Sequence, residues 1–89
     1  MKYSHSPDDI AHFREVLGSA LEHARNLSVV LCDGNEIHGK LVRTHTDHTH
    51  ESASNLWRYG GEITVTAMDG STMTLDCQDI EKVGPRIEA

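Results

Sequence analysis

Apolar and polar positions alternate along much of this chain, and the alternation predicts short strands. Leu27, Val29 and Leu31 fall on one face of a strand, Asp33-Gly34 reverses the chain, and Ile37, Gly39 and Leu41 keep the same period on the way back. Glycine accepts the left-handed backbone that such a turn demands. The same pattern returns at Ile63 to Leu75, around Asp69-Gly70. Beyond turn and alternation the two stretches share little, so they read as two hairpins of one sheet and not as a duplicated domain. Gly39, inside a strand, marks a sharp bend or a close backbone approach, which a very small β-barrel needs in order to close. Asp79-Ile80-Glu81-Lys82-Val83 reads as a short closing strand or turn, anchored by Ile80 and Val83, before Gly84-Pro85.

A different period precedes the strands. Ser6 is a helix N-cap, Pro7 suits the first helical position, and Asp8 and Asp9 face the positive end of the helix dipole. Ile10, Phe13, Val16, Leu17, Ala20, Leu21 and Ala24 then fill a stripe about 140° wide. This predicts a helix over roughly 7–25, packed on the barrel, with Gly18 as its weak point. The segment His45–Asn55 is the one long polar interruption and reads as an exposed loop or frayed hairpin tip. Leu56-Trp57-Arg58-Tyr59 resumes strand character, and Gly60-Gly61 reads as a turn into the next hairpin. The expected fold is mainly β with one N-terminal α-helix: a five-stranded, strongly bent SH3-like barrel. The expected divisions are a disordered tail at 1–5, the helix at 6–26, the barrel at 27–84 and a tail at 85–89, with 6–84 as a single domain.

Composition narrows the function. The net charge of −6, with seven neutral histidines, argues against a general nucleic-acid-coating protein. A local basic patch from Lys40, Arg43 and Arg58 is compatible with it, and an acidic surface also suits a basic protein partner. Cys32 and Cys77 do not make a disulfide framework; they read as reduced thiols near strand ends, able to approach each other in a barrel. No apolar run reaches the ~18 residues of a membrane span, and the N-terminus lacks the apolar region of a signal peptide. The expectation is a cytoplasmic protein with no membrane partner.

The residues from about 26 to 84 resemble the Sm-like barrel. The first motif of that family looks like Val-x-Leu-x-Asp-Gly-x-x-x-x-Gly-x-Leu, and Val29, Leu31, Asp33, Gly34, Gly39 and Leu41 fit it. Asp79-Ile80-x-x-Val83 looks like the end of its second motif. The resemblance implies a binding module in RNA metabolism or transcription and a homo-oligomer. The family's uridine pocket does not carry over. Thr44-His45 and Thr49 stand where RNA-binding members have an aromatic-Asp pair and an Asn, and Asp76-Cys77 stands where they have Arg-Gly. Leu27 to Leu41 and Leu75 to Ile80 are also similar to the small acidic inhibitors of the termination factor Rho. That similarity implies a partner that is itself a nucleic-acid-binding protein, held by an acidic surface, with Glu36, Asp76 and Asp79 as candidate contacts.

Three constellations are candidates for chemistry. His45, His48 and His50, with Asp47 and Glu51, are ligand types suited to zinc or nickel, and the same stretch also reads as a solvated Thr/His loop that would bind metal only adventitiously. Imidazoles titrate near pH ~6.5, so the cluster is equally a candidate pH sensor. Trp57 and Tyr59 share one strand face and suit base stacking, with Lys40, Arg43 and Arg58 for phosphates. Because the chain has only four aromatics (one Trp, two Tyr, one Phe), a core role for this pair is favoured over a stacking platform. His38 reads as a surface residue, and Asp33 and Asp69 as turn residues. No nucleophile motif, phosphate loop or His-Glu-x-x-His is present. The expectation is no enzyme and no required cofactor.

Overall fold

The computed structural model describes residues 1–87. Helix α1 spans Pro7–Glu22, followed by strands β1 (Leu27–Leu31), β2 (Glu36–Glu51), β3 (Leu56–Ala67), β4 (Thr72–Asp76), a 3-10 turn (Cys77–Asp79) and β5 (Ile80–Pro85). All pairings are antiparallel, in the order β4-β3-β2-β1-β5. A mainly β chain with one N-terminal helix and a five-stranded, bent sheet is the architecture the alternation predicts. The core joins Phe13, Val16 and Ala20 of α1 to Leu27, Val29, Ile63, Val65, Cys77 and Ile80.

Local chemistry explains the element ends. The Ser6 hydroxyl accepts from the Asp9 amide at 3.5 Å and Pro7 opens the helix. The helix stops at Glu22, short of the expected residue 25, because the next groups bond elsewhere. The Asn26 amide donates to the His23 carbonyl, and the Ala24 carbonyl accepts from the Leu41 amide at 2.7 Å. His12 Nε2 lies 2.6 Å from the Ile80 carbonyl and ties α1 to β5. In the two Asp-Gly turns Gly34 and Gly70 take φ of 91° and 89°, while the preceding aspartates accept from the Asn35 and Ser71 amides at 2.9 Å. The Asp69 carboxyl is held below its ordinary range first by the Ser71 hydroxyl and then by that amide.

Three expectations are corrected. First, His45–Glu51 is not a loop. It forms the outer half of β2, paired from His45↔Glu62 to Glu51↔Leu56. Threonine's branched side chain favours extended backbone, and an arm wet on both faces needs no apolar alternation, so its strand signal was hidden. The turn itself occupies only the residues after Glu51, with Asn55 in the left-handed region at φ 52°. Second, Gly60 and Gly61 do not turn; they lie buried within β3. A Cβ on Gly60 would run into Met1 and the Lys2 carbonyl, and one on Gly61 would crowd Cys77 Sγ and Leu17. The pair lets chain pack closely against both faces of one strand.

Third, residues 1–5 are not a loose tail. Ser4 pairs with Tyr59 through two 2.8 Å backbone hydrogen bonds. They occupy the edge of β3 beyond the end of its pairing with β4. Lys2 donates from its amide to Asp76 and from Nζ to Asp79, at 2.5 and 2.6 Å. At the other end, Pro85 belongs to β5 and the Arg86 amide donates to the Asn26 carbonyl; the tail expected at 85–89 lies partly outside the described residues. No helix among the described residues is long and apolar enough to cross a membrane.

Both cysteines are free thiols in unlike settings. Cys77 is fully buried, and burial first, then the nearby Asp76 and Glu62, pushes its thiol up to about 12. Cys32 is exposed, its sulfur 3.6 Å from the Gln78 carbonyl. Iodoacetamide at about pH 8 is expected to add one label, on Cys32, to the native protein and two in denaturant. Intact-mass spectrometry reads this directly, and two labels on the native protein would contradict it. Above pH 9 the unfolded chain gives up a Cys77 proton that the folded chain keeps until about 12, so stability should fall as pH rises through that window.

Candidate nucleic-acid interface

The outer halves of β2 and β3 form a two-stranded arm, which accounts for the elongated 51 × 23 × 21 Å shape. Side chains alternate across it. Thr46, His48 and His50 share one face with Trp57, Tyr59 and Gly61, because the register sets His48 opposite Tyr59 and His50 opposite Trp57. This is the face that, further down β3, carries the buried Ile63. On the arm no helix covers it, so Trp57 remains 49% and Tyr59 41% exposed. The core role favoured for these two aromatics is therefore overturned.

Four rings line this face as a ladder. His50 and Trp57 have centroids 4.8 Å apart, His48 and Trp57 5.3 Å, and His48 and Tyr59 6.3 Å, all tilted. His50 Nε2 also lies 3.0 Å from Asn55 Oδ1, which ties the outermost ring to the turn. The rings thus hold one another upright without a core beneath them, as cross-strand pairs do.

The structure does not gather every residue the sequence singled out. Lys40, Arg43 and Arg58 stand on the face opposite Trp57 and Tyr59. Arg43 Nε reaches Thr64 at 3.5 Å, and Arg58 is paired with Glu51 at 3.2 Å. The expected basic patch and the aromatic pair are thus on opposite sides of the sheet. His45, too, alternates away from His48 and His50, and among the described residues no group of three His, Cys, Asp or Glu side chains is placed to hold a metal ion. His38 is half-buried, 3.7 Å from Glu36.

Of the acidic candidates, Asp76 and Asp79 border one depression of about 380 Å³ together with Asp33 and Cys32. Lys2 already engages both, and its ammonium is raised above its ordinary range by the hydrogen bond to Asp79. Glu36 borders other grooves, with Lys82 and with Met68, and accepts from Ser28 at 3.2 Å.

Two contributors escaped sequence reasoning. Arg14 and the helix residues beside it form one wall of a groove whose other wall is the root of the arm. Tyr3 donates to Asp47 at 2.6 Å; this hydrogen bond, with one from the His48 amide, holds the Asp47 carboxyl below its ordinary range and pushes the Tyr3 phenol up. The signal available for Arg14 was negative: it has no acid three or four residues away on its helix, where an ion-pair partner would stand.

No model of a known family matches the chain, and no curated protein matches it. Among solved structures it is similar to a Xanthomonas campestris protein described as adopting a novel variant of the Sm-like motif. The TM-score is 0.76 at 15% identity, over 97% of this chain and 94% of that one. Likeness at that identity speaks for the fold. The chain therefore has an Sm-like fold, five antiparallel strands carrying one N-terminal helix.

Proposed function

We propose that this protein is a non-catalytic binding module of RNA metabolism or transcription that holds single-stranded RNA on the aromatic face of its arm. The exposed, upright ladder of Trp57, His50, His48 and Tyr59 carries this reading. Rings left in water and packed on one another along a paired ribbon offer stacking surface to unpaired bases, which every base can use. With a net charge of −6, and with Arg58 neutralised by Glu51, stacking must supply more of the affinity than phosphate contacts. A shallow salt dependence follows. Titration with an unstructured oligoribonucleotide should quench Trp57, the single tryptophan, saturably. An unchanged emission up to millimolar RNA would overturn the reading.

The alternative is an acidic surface that occupies a nucleic-acid-binding protein, as the likeness to Rho inhibitors implies. It is less favoured because Lys2 already engages Asp76 and Asp79 and because Glu36 lies apart. Charge reversal at Asp76 or Asp79 that broke a protein complex, in a chain indifferent to RNA, would favour it. Self-association through the edge strands β4 and β5 is compatible with either reading and is read by native mass spectrometry.

A further inference from the structure

The ladder does not end in open solvent at its inner rung. His48 and Tyr59 also line a groove of about 280 Å³ between α1 and the arm, floored by Ile10, Phe13 and Leu17 and bordered by Arg14, Thr46 and Asp47, whose carboxylate accepts from the Tyr3 phenol at 2.6 Å. Its volume lies just under the roughly 300 Å³ at which drug-sized pockets begin, so it suits one planar ring and its sugar. Arg14 enters no ion pair among the described residues. Its helix neighbours at three and four residues are Ile10, Ala11, Leu17 and Gly18, none of which can neutralise it. A groove with an apolar floor, stacking rings on one side and an unpaired guanidinium at its rim has the chemistry to take a base inside and the adjoining phosphate outside.

We infer that this groove is a nucleotide subsite in which one base of a single strand, running inward along the ladder, leaves the stack and inserts between α1 and the arm while Arg14 holds its phosphate. The inference rests on the RNA reading above and adds to it a residue on the helix and a defined end to the binding track. The occupant follows from continuity, since His48 and Tyr59 belong to both surfaces, and from the Arg14 guanidinium, which enters no ion pair among the described residues, while the groove's carboxylate, Asp47, is engaged by the Tyr3 phenol.

The full chain is titrated with an eight-nucleotide oligoadenylate. Trp57 emission reports the ladder, and the methyl resonances of Ile10 and Leu17 report the groove. Arg14→Ala should weaken binding about tenfold and reduce the steepness of the salt dependence by about one phosphate contact. Arg14→Lys should recover part of the affinity, and Thr46→Phe, which places a ring at the groove wall, should weaken binding without altering Trp57 emission in the free protein. Methyl shifts of Ile10 and Leu17 on saturation are the expected result. If Trp57 is quenched normally while Arg14→Ala and Thr46→Phe bind like the parent and the methyls stay still, the ladder reading survives and the subsite falls. If neither reporter responds to RNA, both fall together.

Discussion

Replacing Gly39 with alanine is expected to be the most damaging single methyl added to this protein. Gly39 is buried in β2 opposite Ala67, and a Cβ there would land on the Thr66 carbonyl of the neighbouring strand, with Ala67 Cα close behind. The obstacle is backbone, which cannot swing aside as a flexible side chain would. Relief requires separating β2 from β3 where both enter the barrel. Overpacking of this kind costs about 3 kcal/mol. For a domain of this size that corresponds to a fall in melting temperature of about 15 °C. Thermal denaturation followed by circular dichroism checks it, with Gly18→Ala as the control. Gly18 sits on the exposed side of α1 with nothing within 4 Å of an added Cβ, so that change should stabilise by about 0.5–1 kcal/mol. Equal melting temperatures for the two variants would remove the close approach at Gly39 as the reason for this glycine.

Trp57→Ala is expected to have the largest effect on binding. Each stacked base is worth about 1–3 kcal/mol, so losing the outer ring should weaken an oligoribonucleotide tenfold or more, and Tyr59→Ala should act in the same direction. The loss should be specific to binding. Trp57 lies on the wet arm outside the core, and its removal leaves Ile63, Val65 and the helix contacts as they are. Melting temperature should therefore move little while affinity collapses, a combination that a core tryptophan could not show. Lys40→Ala and Arg43→Ala serve as the counterpart on the other face, where the proposal predicts a change too small to match. Loss of RNA binding on the Lys40/Arg43 face with Trp57→Ala neutral would place the interface on the wrong side of the sheet and end the stacking proposal.

How much of this was legible beforehand differs from element to element. The helix start at Ser6-Pro7 and both Asp-Gly hairpins were readable because each depends on a local chemical cause: a cap, a fixed φ, a positive φ. The close backbone approach at Gly39 was readable because a glycine between Ile37 and Leu41 has few other reasons to interrupt a strand. The arm was not, because a ribbon exposed on both faces carries no apolar period, so the Thr/His run looked like loop. Gly60-Gly61 misled for a related reason. The same two residues that open a turn elsewhere here make room for Met1 on one face and for Leu17 with Cys77 on the other. Nothing near them in the chain announces neighbours that come from residue 1, the helix and the 3-10 turn.

The candidate site divides along the same line. Local spacing alone put Trp57 and Tyr59 on one face and Arg58 on the other. Whether that face met the core or water depended on where α1 ends its cover, and that is a tertiary fact. So is the partnership of the rings, since His48 and His50 meet Tyr59 and Trp57 only through the register of a long hairpin. The split of the cations from the aromatics, the clasp of Lys2 on Asp76 and Asp79, and the groove beneath Arg14 likewise join residues far apart in the chain. The sequence by itself determined the helix, the two Asp-Gly hairpins, their order and the mainly β architecture, because turns, caps and periodicity act over a few residues. The tertiary structure alone decided which faces stay wet and which side chains stand together, because burial and register depend on the whole sheet closing around the helix.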